Sequence, residues 1–146
     1  MLLNSFCGVG NPFAIEAIRP GSVILDIGCG AGFDLLVASR LTGAGGQVYG
    51  IDLTEEMIDR ARENIAKVGA ANIEIKHVDT GETSFGDNMF DVVIANGVIN
   101  LSPCKEELFR EIYRVLKPGG RLQFADIVAE QELPAAVTRS LEAWTQ

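Results

Sequence analysis

Residues 24–34 read ILDIGCGAGFD. Asp26 stands at the tip of an apolar run, and Gly28, Gly30 and Gly32 alternate directly after it. A loop almost without side chains lets a ligand lie against the backbone. The acid argues about that ligand's charge, because a carboxylate repels a pyrophosphate and attracts a cation. The spacing also misses both phosphate-binding patterns. A dinucleotide fingerprint, G-x-G-x-x-G, needs glycine where Phe33 stands, and a G-x-x-x-x-G-K-[ST] loop needs a lysine that does not follow. A second acid, Asp52, falls 20 residues beyond Gly32. At the end of a second strand such an acid can accept hydrogen bonds from both hydroxyls of a ribose. These residues ask for a ligand with a ribose, a positive charge and no phosphate.

The flanking pattern says what positions them. SVILDIG (22–28) and QVYGID (47–52) are short β-branched runs of buried-strand type. NIEIKHV (72–78), MFDVVIA (89–95) and RLQFADIV (121–128) supply three further strands. Between them, helices are predicted from Gly32 to Leu41, over 53–69, and from Ser102, as cap, with Pro103 in its first turn. The second helix has Thr54 as its N-cap candidate, Glu55 and Glu56 at the positive end of its dipole, and Gly69 as its stop. Its apolar face is Met57, Ile58, Ala61, Ile65 and Val68; that of the third is Leu108, Phe109, Ile112, Val115 and Leu116. KPGG (117–120) ends the third helix, and a last helix is expected from Leu133 to Trp144. Alternating strands and helices imply right-handed βαβ units and a parallel sheet covered on both faces. Ligands bind such sheets at the carboxyl ends of the strands, where strand order reverses.

The totals narrow the function classes. At 146 residues the chain makes one domain, and 47% hydrophobic with 22% charged residues is a globular composition. A net charge of −8 argues against nucleic acid and against an anionic membrane surface. No apolar run has the length of a membrane span, and the first residues, MLLNSFCGVG, lack the regions of a signal peptide. A cytoplasmic protein is expected. Cys7, Cys29 and Cys104 then read as free thiols; their spacing fits no metal pattern, and the single histidine, His77, reads as an ordinary strand residue.

S-adenosylmethionine carries a ribose, a sulfonium and an ammonium, and no phosphate. With ILDIGCGAG, VYGIDLTEEMI, FDVVIANGVINL and LKPGG in this order and spacing, the chain resembles the class I S-adenosylmethionine-dependent methyltransferases over most of residues 21–128. The resemblance implies an α/β, Rossmann-like three-layer sandwich with a mainly parallel sheet, and a cofactor site assigned residue by residue. Asp26 would order the loop and, directly or through water, the ligand's amine end. Gly28 and Gly30 would put backbone against the methionine moiety, with Cys29 between them at the cofactor and Asp52 on the ribose. Leu53 and Met57 would pack by the adenine, Asp79 and Thr80 would bond its edge, and Asn96 would lie by the methyl group. Taken alone, Asp52 reads equally well as a helix cap, Asp79 as a loop acid, and Asn96 as a turn residue. No catalytic residue is assigned, because the sulfonium leaving group is already activated and the protein has mainly to align the acceptor.

GVGNP, GAGFD, ANGVINLSP and DIVAEQELP are similar to the arsenite methyltransferase branch. That branch holds trivalent arsenic through cysteine thiolates, a soft centre on soft ligands. Here Val9 and Gly97 stand at two of those positions and the chain ends near the third, so the resemblance implies a small-molecule acceptor without specifying arsenite. A complete sheet of this family has seven strands; five are expected here, which leaves the apolar fifth strand as a free edge and a homodimer as one way to cover it. The alternative to an enzyme is an S-adenosylmethionine-binding module with little turnover.

Overall fold

Side chains of successive strand residues point to opposite faces, and that alternation decides the layers. The structure is a computed structural model that describes residues 8–79 and 83–128. In β1 (Val23–Ile27), Leu25 and Ile27 join one buried cluster and Ile24 the other. In β4 (Phe90–Asn96), Val93 and Ala95 face the first cluster while Val92 and Ile94 face the second. The first layer is closed by α3 (Lys105–Val115) through Leu108, Ile112 and Val115, and by Phe85. The rings of Tyr49, Phe85 and Phe90 meet there edge to face, with centroids 5.1 to 5.7 Å apart. The second layer is closed by α1 (Phe33–Thr42) through Leu35 and Ala38, and by α2 (Glu55–Val68) through Ile58.

With β2 (Gln47–Asp52), β3 (Ile73–His77) and β5 (Leu116–Ala125), the sheet has the order β3-β2-β1-β4-β5, parallel throughout. The chain runs outward from β1 to β3 and then returns to place β4 on the other side of β1. The β1/β4 junction is therefore the switch point, and a crevice opens at its carboxyl end. The Rossmann-like sandwich expected from the sequence is present, with five strands among the described residues of the seven in a complete family sheet. No helix among the described residues is long and apolar enough to cross a membrane.

Three expectations need correction. Ser102 and Pro103 do not start α3. The chain makes a short 3-10 turn at Ile99–Leu101, and Lys105, at the first position of the helix, donates through Nζ to the carbonyls of Asn100 and Ser102. Val68 and Phe109 are exposed, because the buried stripes of α2 and α3 are narrower than their apolar patterns. KPGG lies inside β5. Phe90 pairs with Leu116 and Val92 with Arg121, so residues 117–120 loop out of the ladder as a bulge. Gly119 has φ +80°, and a Cβ on Gly120 would lie 2.9 Å from the Lys117 carbonyl. The tail helix expected over Leu133–Trp144 lies outside the described residues.

Residues 12–17 lie against β5. Gln123, only 1% exposed, donates to the carbonyls of Pro12 (2.9 Å) and Glu16 (3.1 Å), and Arg121 donates to that of Ala17. A buried amide so satisfied fixes residues 12–17 across the sheet.

Candidate functional site

The carboxyl ends of β1, β2 and β4 open into a cavity of about 510 Å³. The glycine loop forms its floor. The N–H groups of Gly28 and Cys29 both donate to the Ile51 carbonyl, at 2.8 and 3.0 Å, which folds the loop back onto β2. Gly28 has φ +70°, and a Cβ there would clash with the Val98 side chain. Gly30 has φ +50° and would meet nothing within 4 Å. Its open side is room for a ligand against bare backbone.

Asp52 is shared between loop and helix. Its Oδ2 accepts the Gly30 N–H and its Oδ1 the Thr54 N–H, each at 2.8 Å. The cap and ligand readings of this acid are therefore compatible, since each oxygen keeps a lone pair for a further donor. Thr54 itself makes no side-chain cap bond to α2.

Asp26 is 2% exposed, and its Oδ2 has no hydrogen-bond partner. Burial first, and then the neighbouring carboxylates of Asp34 and Asp52, push its pKa well above the usual carboxylate range. A buried acid without a partner is costly, and a cation in the cavity relieves that cost. Asp34, in the first turn of α1, is also raised by burial, against the opposing hydrogen bond that it accepts from Asn96 Nδ2 at 2.9 Å. The Cys29 thiol is buried and its pKa is pushed up by desolvation and then by Asp26 and Asp52, which disfavours the thiolate. The cavity wall thus carries three carboxylates and, among the described residues, no Lys, Arg or His.

Of the residues named from the sequence, the structure brings Asp26, Gly28, Cys29, Gly30, Asp52, Leu53, Met57 and Asn96 to this one cavity. Leu53, Met57 and Val78 make its apolar end. Asp79 lies beyond the wall, its side chain 91% exposed and 3.7 Å from His77 Nδ1. Thr80 lies outside the described residues. Asn96 is at the wall, yet all its polar positions serve the protein. Oδ1 accepts the Val9 and Gly10 N–H groups, and Nδ2 donates to the Gly10 carbonyl and to Asp34. Val9 and Gly97, far apart in sequence, are thereby neighbours through Asn96. Sequence reasoning missed Asp34, whose only signal was an acid in a first helical turn, and the apolar Val98, Leu101 and Leu108 on the remaining wall.

The residues fit a ligand with a positive charge and a ribose: an orphaned buried carboxylate, a glycine cradle with open space, and a second acid with free lone pairs. Residues 18–146 match the methyltransferase-domain family. The chain is 44% identical over 138 residues to the arsenite methyltransferase of Halobacterium salinarum, covering 94% of this chain and 35% of that protein. It superposes on an arsenic(III) S-adenosylmethionine methyltransferase from Chlamydomonas reinhardtii with a TM-score of 0.83 and 37% identity, over 93% of this chain and 48% of that one. It also matches phosphoethanolamine N-methyltransferase 2 of Haemonchus contortus, solved with phosphomonomethylethanolamine and S-adenosylhomocysteine (TM-score 0.78, 29% identity, 91% of this chain and 31% of that one). The chain thus spans between about a third and a half of these relatives' lengths. With the glycine loop, the two acids and the switch-point cavity in the family's arrangement, the chain belongs to the class I S-adenosylmethionine-dependent methyltransferases.

Proposed function

We propose that this chain, as a single domain, binds S-adenosylmethionine in the cavity and transfers its methyl group to a small-molecule acceptor. The observation that carries the reading is the unpartnered carboxylate of Asp26 beside the Gly28–Gly30 loop, with Asp52 across it. Bound S-adenosylmethionine supplies an activated sulfonium methyl group. Asp26 would attract the amine end, Gly28, Cys29 and Gly30 would offer backbone to the methionine moiety, and Asp52 would hold the ribose. Leu53 and Met57 would flank the adenine, with Asp79 and Thr80 at its edge. Val98, Leu101 and Leu108 line the other end with apolar side chains. An in-line displacement then needs alignment more than a general base.

Three carboxylates in the wall favour a neutral or cationic acceptor over an anion. Arsenite is the acceptor named for the Halobacterium relative and arsenic(III) that named for the Chlamydomonas one. Among the described residues Cys29 is the cavity's only thiol, and it is buried in the cofactor loop; Cys104 is exposed at the start of α3. Those positions do not supply a thiolate pair for arsenic. Free Cys29 and Cys104 suit a reducing, cytoplasmic compartment. The β5 edge, with Phe124 exposed beside Phe109 and Ile127 and Val128 exposed just after the strand, favours a homodimer through that edge. A single boundary at the monomer mass in sedimentation at 100 micromolar-scale loading would remove the dimer.

Calorimetry tests the cofactor reading. S-adenosylhomocysteine should bind with a one-to-one stoichiometry and NAD should not. Labelled S-adenosylmethionine, offered with arsenite plus glutathione or with thiol-free small amines and phenols, then reads the acceptor. Saturable binding without transfer to any acceptor would leave a binding module and overturn the enzyme.

A further inference from the structure

Residues 8–10 cross the edge of the cavity, with Gly8 in its wall. They hold little apolar surface there. Gly8 and Gly10 have no side chain, and that of Val9 is 44% exposed. Their described polar contacts are with one residue. Asn96 accepts from the Val9 N–H at 2.8 Å and the Gly10 N–H at 3.1 Å, and donates to the Gly10 carbonyl at 2.9 Å. The neighbouring stretch is held quite differently. Pro12 and Ile18 are buried, and Gln123 and Arg121 bind the carbonyls of residues 12, 16 and 17. Asn11 caps the turn between the two parts by accepting from the Phe13 N–H. A firmly anchored base therefore carries a tip held by the hydrogen bonds to Asn96 and by the close approach of Gly10 to Ala125, the kind of segment that opens at low free energy.

Asp34 sets the latch. It accepts from Asn96 Nδ2 at 2.9 Å, so the amide is oriented with Oδ1 toward the two strap N–H groups. Asp34 also lines the cavity at the start of α1, directly after the glycine loop. The same four hydrogen bonds thus join the strap, the tip of β4 and the helix that begins at the cofactor loop. An asparagine amide can make about four, which leaves none for a ligand.

We propose that Asn96 is a positioning residue that latches residues 8–10 over the cavity as a gate, closed by the Asn96–Asp34 pair and opened to admit and release ligand. The proposal rests on the cofactor reading above for the identity of what is gated. It goes beyond that reading in assigning Asn96 to the gate instead of to the ligand.

Two measurements test it on the full chain. Backbone amide exchange followed by NMR reads the latch in the ligand-free protein, and surface plasmon resonance reads the association and dissociation rates of S-adenosylhomocysteine. Asn96→Ala should speed exchange at Val9 and Gly10 while leaving β1 and β4 protected. Both rates for S-adenosylhomocysteine should rise, dissociation by about tenfold, the scale of one or two lost hydrogen bonds. Val9→Pro removes the strap N–H that Asn96 accepts while leaving the Asn96 side chain and its bond to Asp34 in the protein, and should raise the same two rates if Asn96→Ala folds poorly. A gate moves association as well as dissociation; loss of a direct ligand contact would raise dissociation alone and overturn the proposal. Unchanged exchange at residues 9 and 10 in Asn96→Ala would also overturn it. Failure of the wild-type protein to bind S-adenosylhomocysteine would instead remove the cofactor reading, and the exchange measurement alone would then decide the latch.

Discussion

Asp52 and Gly30 meet at 2.8 Å, carboxylate Oδ2 to backbone N–H, across the gap between β2 and the glycine loop. One side chain thus orders the loop while its remaining lone pairs face the cavity. Asp52→Ala should weaken S-adenosylhomocysteine binding by about 1–3 kcal/mol, the scale of a lost partner for buried polar groups. Calorimetry at constant pH checks this. Equal affinity in the variant would exclude a ribose role for Asp52.

Gly30 and Gly28 separate stability from binding. Both have positive φ, but only Gly28 has a neighbour in the way. Gly30→Ala should lower stability by about 1–2 kcal/mol, the penalty of a left-handed residue. It should lower cofactor affinity further, because the methyl group enters the cavity. Gly28→Ala should destabilise more strongly, since it adds a clash with Val98. Urea unfolding and calorimetry on the pair read the two effects.

Asp26 predicts a pH dependence with a definite sign. Burial holds its folded pKa above the unfolded value, so between the two the native state binds more protons. Stability of the ligand-free protein should fall as pH rises through the window upward from the usual carboxylate range. A cation in the cavity favours the ionised acid, so cofactor binding should release a proton and strengthen with pH over that window. Titration in buffers of different ionisation enthalpy counts the proton. Asp26→Asn should flatten both dependences.

Glu111, one turn along α3 from Leu108 and outside the cavity wall, predicts the opposite sign. Hydrogen bonds from Arg114, then those from Thr83, outweigh its burial and hold it at about 2. Its stabilisation is complete above the ordinary carboxylate pKa and is lost as pH falls toward 2. Arg114 also binds Asp87 and the Phe85 carbonyl, so the network fastens residues 83–87 over the aromatic cluster. Glu111→Gln should cost about 1–2 kcal/mol at pH 7, discounted because Arg114 is partly exposed, and much less at pH 3. Thermal melts at the two pH values check this.

Local signals in the chain were sufficient for the strands, the parallel α/β class and the cofactor loop. β-branched runs, the period of the helices and Gly69 act over a few residues, so they are legible without the fold. The limits of α3 and β5 were not, because KPGG can stop a helix or bulge a strand equally well, and pairing with Phe90 and Val92 decided between them.

The sequence by itself determined that two acids, Asp26 and Asp52, flank a bare glycine loop at the ends of neighbouring strands, the arrangement on which the proposal of a cationic, ribose-bearing ligand rests. Types and spacing within one βαβ unit carry that information, since the unit's geometry is nearly invariant. Only the tertiary structure decided that Asn96 serves residues 9 and 10, that Asp34 orients it, and that Gln123 anchors the strap. Those partners are 62 to 111 residues apart. An amide's role is set by which donors and acceptors the sheet order brings within hydrogen-bond reach, and sequence spacing does not encode that.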